Sequence, residues 1–259
     1  MTKVYVKVLI FRPDVPFDHL MSVGVGAAYF SEIIQELSIE MNRDLLKSDF
    51  DSKRVVVVAP QEGQVARATQ FKEKLEGFLG EFSDWTVQMA FISRSSTKDR
   101  DKAEEETHKH LIGDVKGSFC ILVDDIIDTG STMANAVKML RAAGAGKITG
   151  FASHGRFSQG GDKVIENLEE LQFVVITNTL PHRDEEGNII ARKQSGKIRE
   201  LTLAPLFAEA IYCLHNGVPF SDLLYNEPFF GNVKLAPAEP RINPFLDADT
   251  LDPLYKAKM

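Results

Sequence analysis

The chain has 259 residues, 44% apolar and 26% charged, with 18 glycines and 11 prolines. That balance excludes disordered, collagen-like and coiled-coil classes, and at about 100–200 residues per domain it makes one large domain or two small ones. Thirty basic against 37 acidic residues leave a net charge of −7, which excludes a hold on nucleic acid or an anionic membrane through bulk charge.

Residues 1–25 open with MTKVYVKVLIF, which alternates like a strand and lacks a signal-peptide pattern, and are expected as an N-terminal strand and linker. A domain is expected over 26–226. Val55 to Ala59 is a continuous apolar run, the pattern of a strand covered on both faces. Ala68, Phe71, Leu75 and Phe78 then mark one face of a helix. Thr86 to Ile92 reads as a strand, and the charged Ser93 to Lys109 as a mobile loop or exposed helix. Phe119 to Val123 is the next strand. It leads through Asp124 to Gly130 into a helix with Met133, Ala136, Val137 and Leu140 on one face, and Gly144 suits the left-handed residue past its end. Strands follow over Ile148 to Ser153, Phe173 to Thr177 and Ile198 to Leu203, with helices over Gly160 to Glu170 and Ala204 to His215. In the last helix, Phe207, Ala210, Ile211 and Leu214 are expected to be buried. Strands alternating with helices predict an α/β fold with a parallel, doubly wound sheet. Residues 227–259 carry five prolines without clear periodicity and are expected to lie over the surface or reach a partner. No run reaches the roughly 18–20 apolar residues of a membrane helix. Cys120 and Cys213 lie in apolar segments, so a soluble protein of the reducing cytoplasm is expected.

The segment FCILVDDIIDTGSTM, Phe119 to Met133, carries the chemistry. A buried strand ends in the paired acids Asp124 and Asp125. Asp128 then begins a turn of small hydroxyl residues, Thr129-Gly130-Ser131-Thr132, where a helix starts. In open α/β sheets, ligands sit beyond the carboxyl ends of the strands. A helix N-terminus offers unpaired N–H groups and a partial positive charge to a phosphate, so no basic side chain is required there. Gly130 admits close backbone approach, and the hydroxyls of Thr129, Ser131 and Thr132 add donors. The acids would repel a phosphate, so they suit sugar hydroxyls or Mg²⁺. A phosphorylated sugar satisfies both halves. The plainer alternative is a solvated acidic loop with Asp128 or Thr129 as an ordinary N-cap. A P-loop reading fails, because Gly144-Ala145-Gly146-Lys147 lacks both the first glycine and the Ser/Thr after lysine.

This segment resembles the phosphoribosyl diphosphate (PRPP) fingerprint of the type I phosphoribosyltransferase fold, and its surroundings resemble the ribose-phosphate pyrophosphokinase (PRPP synthetase) family. Gly113-Asp114-Val115-Lys116-Gly117 is similar to that family's GDVxG. Ser153 to Ser158 (SHGRFS) is similar to THGxFS, Thr177 to Pro181 (TNTLP) to TNTxP, and Leu206 to Ser221 to AEAIxxxHNGxS. Order and spacing agree from about Pro16 to Tyr225, the carboxyl-terminal half of the family's chain. The resemblance implies pyrophosphoryl transfer from ATP to ribose 5-phosphate, in nucleotide biosynthesis. It implies ribose 5-phosphate binding by Asp124, Asp125, Asp128, Thr129, Gly130, Ser131 and Thr132, with Mg²⁺ as cofactor held by Asp124 and Asp125. It further implies ATP or PRPP as ligand and association with itself or with PRPP synthetase-like chains. Two alternatives stand beside it: a non-catalytic regulatory subunit of PRPP synthetase, and a phosphoribosyltransferase acting on a base.

The family's pyrophosphate loop reads PDxGGxKR, whereas this chain reads Pro60-Gln61-Glu62-Gly63-Gln64-Val65-Ala66-Arg67. Gln61 replaces an acid and Gln64 a glycine, while Gly63 and Arg67 are retained as pocket candidates. Arg67 reads equally as a phosphate ligand or a helix-surface charge. The family's mobile catalytic loop begins KxR. Here Arg94 holds the lysine position, which makes it the catalytic candidate, and Ser96 holds the arginine position. With Lys98 and Arg100, Arg94 reads either as a substitute catalytic loop or as solvated charge. His154 reads as a pocket-lining or a merely structural residue, and His108 and His110 as surface residues lacking a third ligand.

Overall fold

The computed structural model describes residues 17–42, 53–80, 84–96, 107–182 and 196–217. The strands are β1 (Arg54–Ala59), β2 (Thr86–Ser96), β3 (Thr107–Ile112), β4 (Phe119–Ile127), β5 (Lys147–Gly155), β6 (Leu171–Thr177) and β7 (Ile198–Leu201). The helices are α1 (Phe17–Asn42), α2 (Val65–Leu79), α3 (Ser131–Ala142), α4 (Gly161–Glu166) and α5 (Ala204–Asn216). The strands form one sheet in the order β3-β2-β1-β4-β5-β6-β7. Neighbours run parallel except β2 and β3, which are antiparallel. This is the parallel, helix-flanked α/β sheet the sequence predicts.

Burial on both faces explains the unbroken apolar strands. Val55, Val57 and Ala59 of β1 face a core shared with α1, α2 and α5, while Val56 and Val58 face a second core shared with α3 and α4. On α1, Val23, Ala27, Phe30, Ile34 and Leu37 recur at helical spacing and are buried. The Phe30 ring stacks on Phe173 at 5.9 Å and meets Phe71 edge-on, and Phe71 lies 5.4 Å from Phe151. The expected boundary between residues 25 and 26 falls inside α1, which packs continuously across it.

At the amino-terminal end of the sheet, Arg54 fastens β1 to the connection before β4. Its Nε donates to Ser118 Oγ at 2.7 Å, Nη1 to Asp114 Oδ2 at 2.7 Å and Nη2 to the Lys116 carbonyl at 2.6 Å. The hydrogen bonds from Arg54 and from the Lys116 backbone hold the Asp114 carboxyl below its usual range.

Three expectations are corrected. The stretch from Ser93 to Lys109 is neither loop nor helix at its ends. Instead β2 runs on to Ser96 and β3 begins at Thr107, with Ser93 opposite His110 and Arg94 opposite Lys109. An edge strand bathed in solvent needs no apolar stripe. The helix expected over Gly160 to Glu170 is only α4, because the chain turns at Asn167 to reach β6. On α5, Leu206, Ala210 and Cys213 form the buried stripe and Ile211 is 52% exposed, since it lies off the face that those three define. The Leu214 side chain, the strand expected near the N-terminus and the proline-rich tail lie outside the described residues. Among the described residues no helix is long and apolar enough to cross a membrane.

Candidate functional site

After β1 the chain passes into α2 on one face of the sheet, and after β4 into α3 on the other. The strands β1 and β4 are neighbours, so their outgoing loops part at the carboxyl edge and leave a crevice at the switch in strand order. A cleft of about 190 Å³ opens there, lined by Gln61 and by the run from Asp124 to Met133.

The acid pair ends the buried part of β4. Asp124 is 3% exposed, and its Oδ1 accepts the Asp125 N–H at 2.9 Å. Burial pushes the Asp124 carboxyl up to about 7 against the pull of the Asp125 N–H, and the side chain and charge of Asp125 act in the same direction as burial. Burial also pushes Asp125 upward. Hydrogen bonds from Gln64 and Asp124 and the Arg67 guanidinium, 3.8 Å away, outweigh it and hold Asp125 below its usual range. Below neutral pH the proton of the pair therefore rests on Asp124 and the charge on Asp125.

The turn that follows is shaped by two glycines. Gly130 adopts φ 76° as the N-cap of α3, with no side-chain cap bond. Asp128 bonds across the turn rather than to the helix, and Thr129 Oγ1 meets the Ser131 N–H only at 3.5 Å. The helix ladder begins with the Ala134 N–H on the Gly130 carbonyl at 2.9 Å, so the N–H groups of Thr132 and Met133 precede the first intrahelical bond. The Thr129 and Ser131 hydroxyls lie 3.0 Å apart, and the Gln61 amide lies 3.5 Å from Thr132 Oγ1. Across the turn sits Gly161, where a Cβ would fall 2.0 Å from the Asp128 carbonyl oxygen. Asp128 Oδ1 accepts the Ser158 hydroxyl and, at 3.3 Å, the Ser158 N–H. These bonds, the hydroxyl's first, keep the Asp128 carboxyl low, and Arg156 adds a weaker pull.

The structure thus brings Asp124, Asp125, Asp128, Thr129, Gly130, Ser131 and Thr132 to one cleft, with Arg67 against Asp125. Gly63 lies exposed in the short helical turn before α2. His154 is not among the cleft-lining residues, and its Nδ1 lies 2.6 Å from Thr179 Oγ1. Arg94 stands on β2 opposite Lys109. Its side chain, and Lys98 and Arg100 entirely, lie outside the described residues. Among the described residues no group of three or more His, Cys, Asp or Glu is placed to hold a metal ion. Sequence reasoning missed Arg156, Ser158 and Gly161 as neighbours of Asp128, and Gln64 as a partner of Asp125. The similarity of Ser153 to Ser158 to THGxFS is the one signal that pointed near them.

An acid pair and a hydroxyl-rich helix entry at the switch point of a mostly parallel sheet define an α/β protein with an oxygen-lined cleft at the carboxyl edge of its strands. The chain belongs to the phosphoribosyl synthetase-associated domain family, whose pattern matches residues 79–225. It is 37% identical over 212 residues to the ribose-phosphate pyrophosphokinase of Caldanaerobacter subterraneus, covering 81% of this chain and 54% of that one. It is 34% identical over 216 residues to that of Clostridium acetobutylicum, covering 83% and 56%. The chain therefore spans just over half the length of these relatives. Among solved structures, phosphoribosylpyrophosphate synthetase from Mycobacterium smegmatis is 33% identical, with a TM-score of 0.47 over 63% of this chain and 45% of that one.

Proposed function

We propose that the chain supplies the ribose 5-phosphate site of a ribose-phosphate pyrophosphokinase, the site at which PRPP is made from ATP. One observation carries this reading: the acid pair and the hydroxyl-rich helix entry share a single cleft, inside the segment that matches the family. The N–H groups that open α3, with Thr129, Gly130, Ser131 and Thr132, hold the 5-phosphate. Asp124, Asp125 and Asp128 accept hydrogen bonds from the ribose hydroxyls. Alignment of a sugar hydroxyl then lets its oxygen bond the β-phosphorus of ATP while the bond from that phosphorus to the α-phosphate oxygen breaks. AMP leaves, and the hydroxyl proton is released. By the resemblance, Arg94 offsets charge in that step. ATP is presented by the family's other domain, on a longer chain or on an associated PRPP synthetase-like chain.

The acid pair fits Mg²⁺, because it offers hard oxygen donors side by side and holds a proton where a cation's charge would act. When bound, that ion neutralises charge on the polyphosphate. Asp124 and Asp125 would hold it.

Calorimetric titration of ribose 5-phosphate with Mg²⁺ tests this reading. Wild type binds and Asp128→Ala does not. A wild type that ignores the sugar phosphate overturns it. The Gln64 side chain, which helps to hold the Asp125 carboxyl low, and the 3.8 Å Arg67–Asp125 ion pair favour a second reading, a non-catalytic regulatory subunit, because a cleft acid is already answered from the Pro60 to Arg67 segment. That reading expects sugar-phosphate binding without turnover after mixing with a complete PRPP synthetase whose own site is inactivated.

A further inference from the structure

We propose that Arg156 is a phosphate-binding residue that makes this cleft select a sugar bearing a terminal phosphate over the same sugar without one. The inference rests on the functional reading above and deepens it. The residues lining the cleft include three aspartates and no lysine or arginine, so an incoming phosphate dianion meets net negative charge. Arg67, on α2, lies against Asp125. The sequence alone suggests that the helix entry suffices for phosphate, and the structure adds a cation at its rim.

Arg156 follows β5 directly, and its backbone is fixed to the phosphate turn. The N–H groups of Arg156 and Phe157 both donate to the Ile127 carbonyl, at 2.9 and 3.1 Å, one residue before Asp128. The chain then passes through left-handed φ angles at two non-glycine residues, 53° at Phe157 and 54° at Gln159, a conformation that side chains rarely adopt. The Phe157 ring is buried beneath it. This wrap sets the Arg156 side chain beside the turn yet leaves it 64% exposed, with Nε 3.8 Å from Asp128 Oδ1. That separation exceeds hydrogen-bond distance. The same oxygen already takes the hydroxyl and the N–H of Ser158. The guanidinium is thus placed by Asp128 but not consumed by it, and its planar fork of donors matches a phosphate.

Titration of ribose 5-phosphate into wild type, Arg156→Ala and Arg156→Lys, at low and high salt, tests the assignment. Arg156→Ala should bind the sugar phosphate about tenfold or more weaker, the range for a charge-assisted hydrogen bond. It should also lose most of the salt dependence that wild type shows. Arg156→Lys should fall between, and unphosphorylated ribose should compete equally poorly or well on all three. An unchanged melting temperature in Arg156→Ala shows that the fold is intact. Equal affinity and equal salt dependence in wild type and Arg156→Ala overturn this proposal alone. A wild type that binds no ribose 5-phosphate overturns the functional reading and this proposal with it.

Discussion

Ser158 donates both its hydroxyl and its backbone N–H, the latter at 3.3 Å, to one oxygen of Asp128. The bond joins the loop after β5 to the turn after β4, so the position of the Asp128 carboxylate is set from outside its own segment. With Oδ1 engaged, Oδ2 is the atom that the proposed reading assigns to a sugar hydroxyl. Replacing Ser158 by Ala should weaken ribose 5-phosphate binding about tenfold, since hydrogen bonds to charged groups contribute about 1.5–3 kcal/mol. Calorimetry reads the loss, and Ser158→Thr should restore most of it. Unchanged affinity in Ser158→Ala would show that Asp128 holds its place unaided.

Asp124 makes stability depend on pH. Its carboxyl has a pKa of about 7 in the folded chain against an ordinary value of 3.8. Between those values the folded state holds a proton that the unfolded state has lost, so stability falls as pH rises from about 4 to 7 and levels off above. In metal-free buffer, Asp124→Asn should melt higher than wild type at pH 8, and the gap should narrow at pH 5. Melting curves at the two pH values check this. A gap of equal size at both would mean that the burial of Asp124 does not govern its ionisation.

Two glycines near the cleft should respond in opposite ways. A Cβ on Gly161 would lie 2.0 Å from the Asp128 carbonyl oxygen, whereas one on Gly63 meets nothing within 4 Å. Gly161→Ala should therefore destabilise the chain by about 2 kcal/mol or more, while Gly63→Ala stays within about 0.5 kcal/mol of wild type. Urea denaturation of both variants provides the comparison.

Burial pushes the Cys120 thiol up to about 12, and the residue is fully enclosed within β4. In a Cys213→Ser background, Cys120 should be inert to a thiol reagent at pH 8 and react only as the chain unfolds. A rapid stoichiometric reaction with the native protein would contradict the packing of β4.

The parts of the fold that are legible in the sequence are those whose physics is local. Val55 to Val58 and Phe119 to Val123 read as buried strands because both faces are covered. The cleft run from Asp124 to Thr132 reads as a site because its acids, hydroxyls and glycine are contiguous. Strand β3 is illegible for the opposite reason: Thr107 to Lys109 pair at the sheet edge, where solvent imposes no pattern. Arg156, Ser158 and Gly161 join the site only because β5 lies against β4 in the register that sets Gly155 beside Ile127. Gln64 reaches Asp125 only because β1 and β4 are neighbours. Such meetings depend on strand order, which no single segment encodes.

The Arg54 clamp and the cleft stand at opposite poles of the same two strands. Three donors of one guanidinium secure β1 to the entry of β4, far from the loops where ligand chemistry is expected. Anchorage of the frame and the chemistry of its mouth are thereby uncoupled. Substitutions at loop residues such as Gln61 and Gln64 would therefore leave the strand alignment beneath them secured.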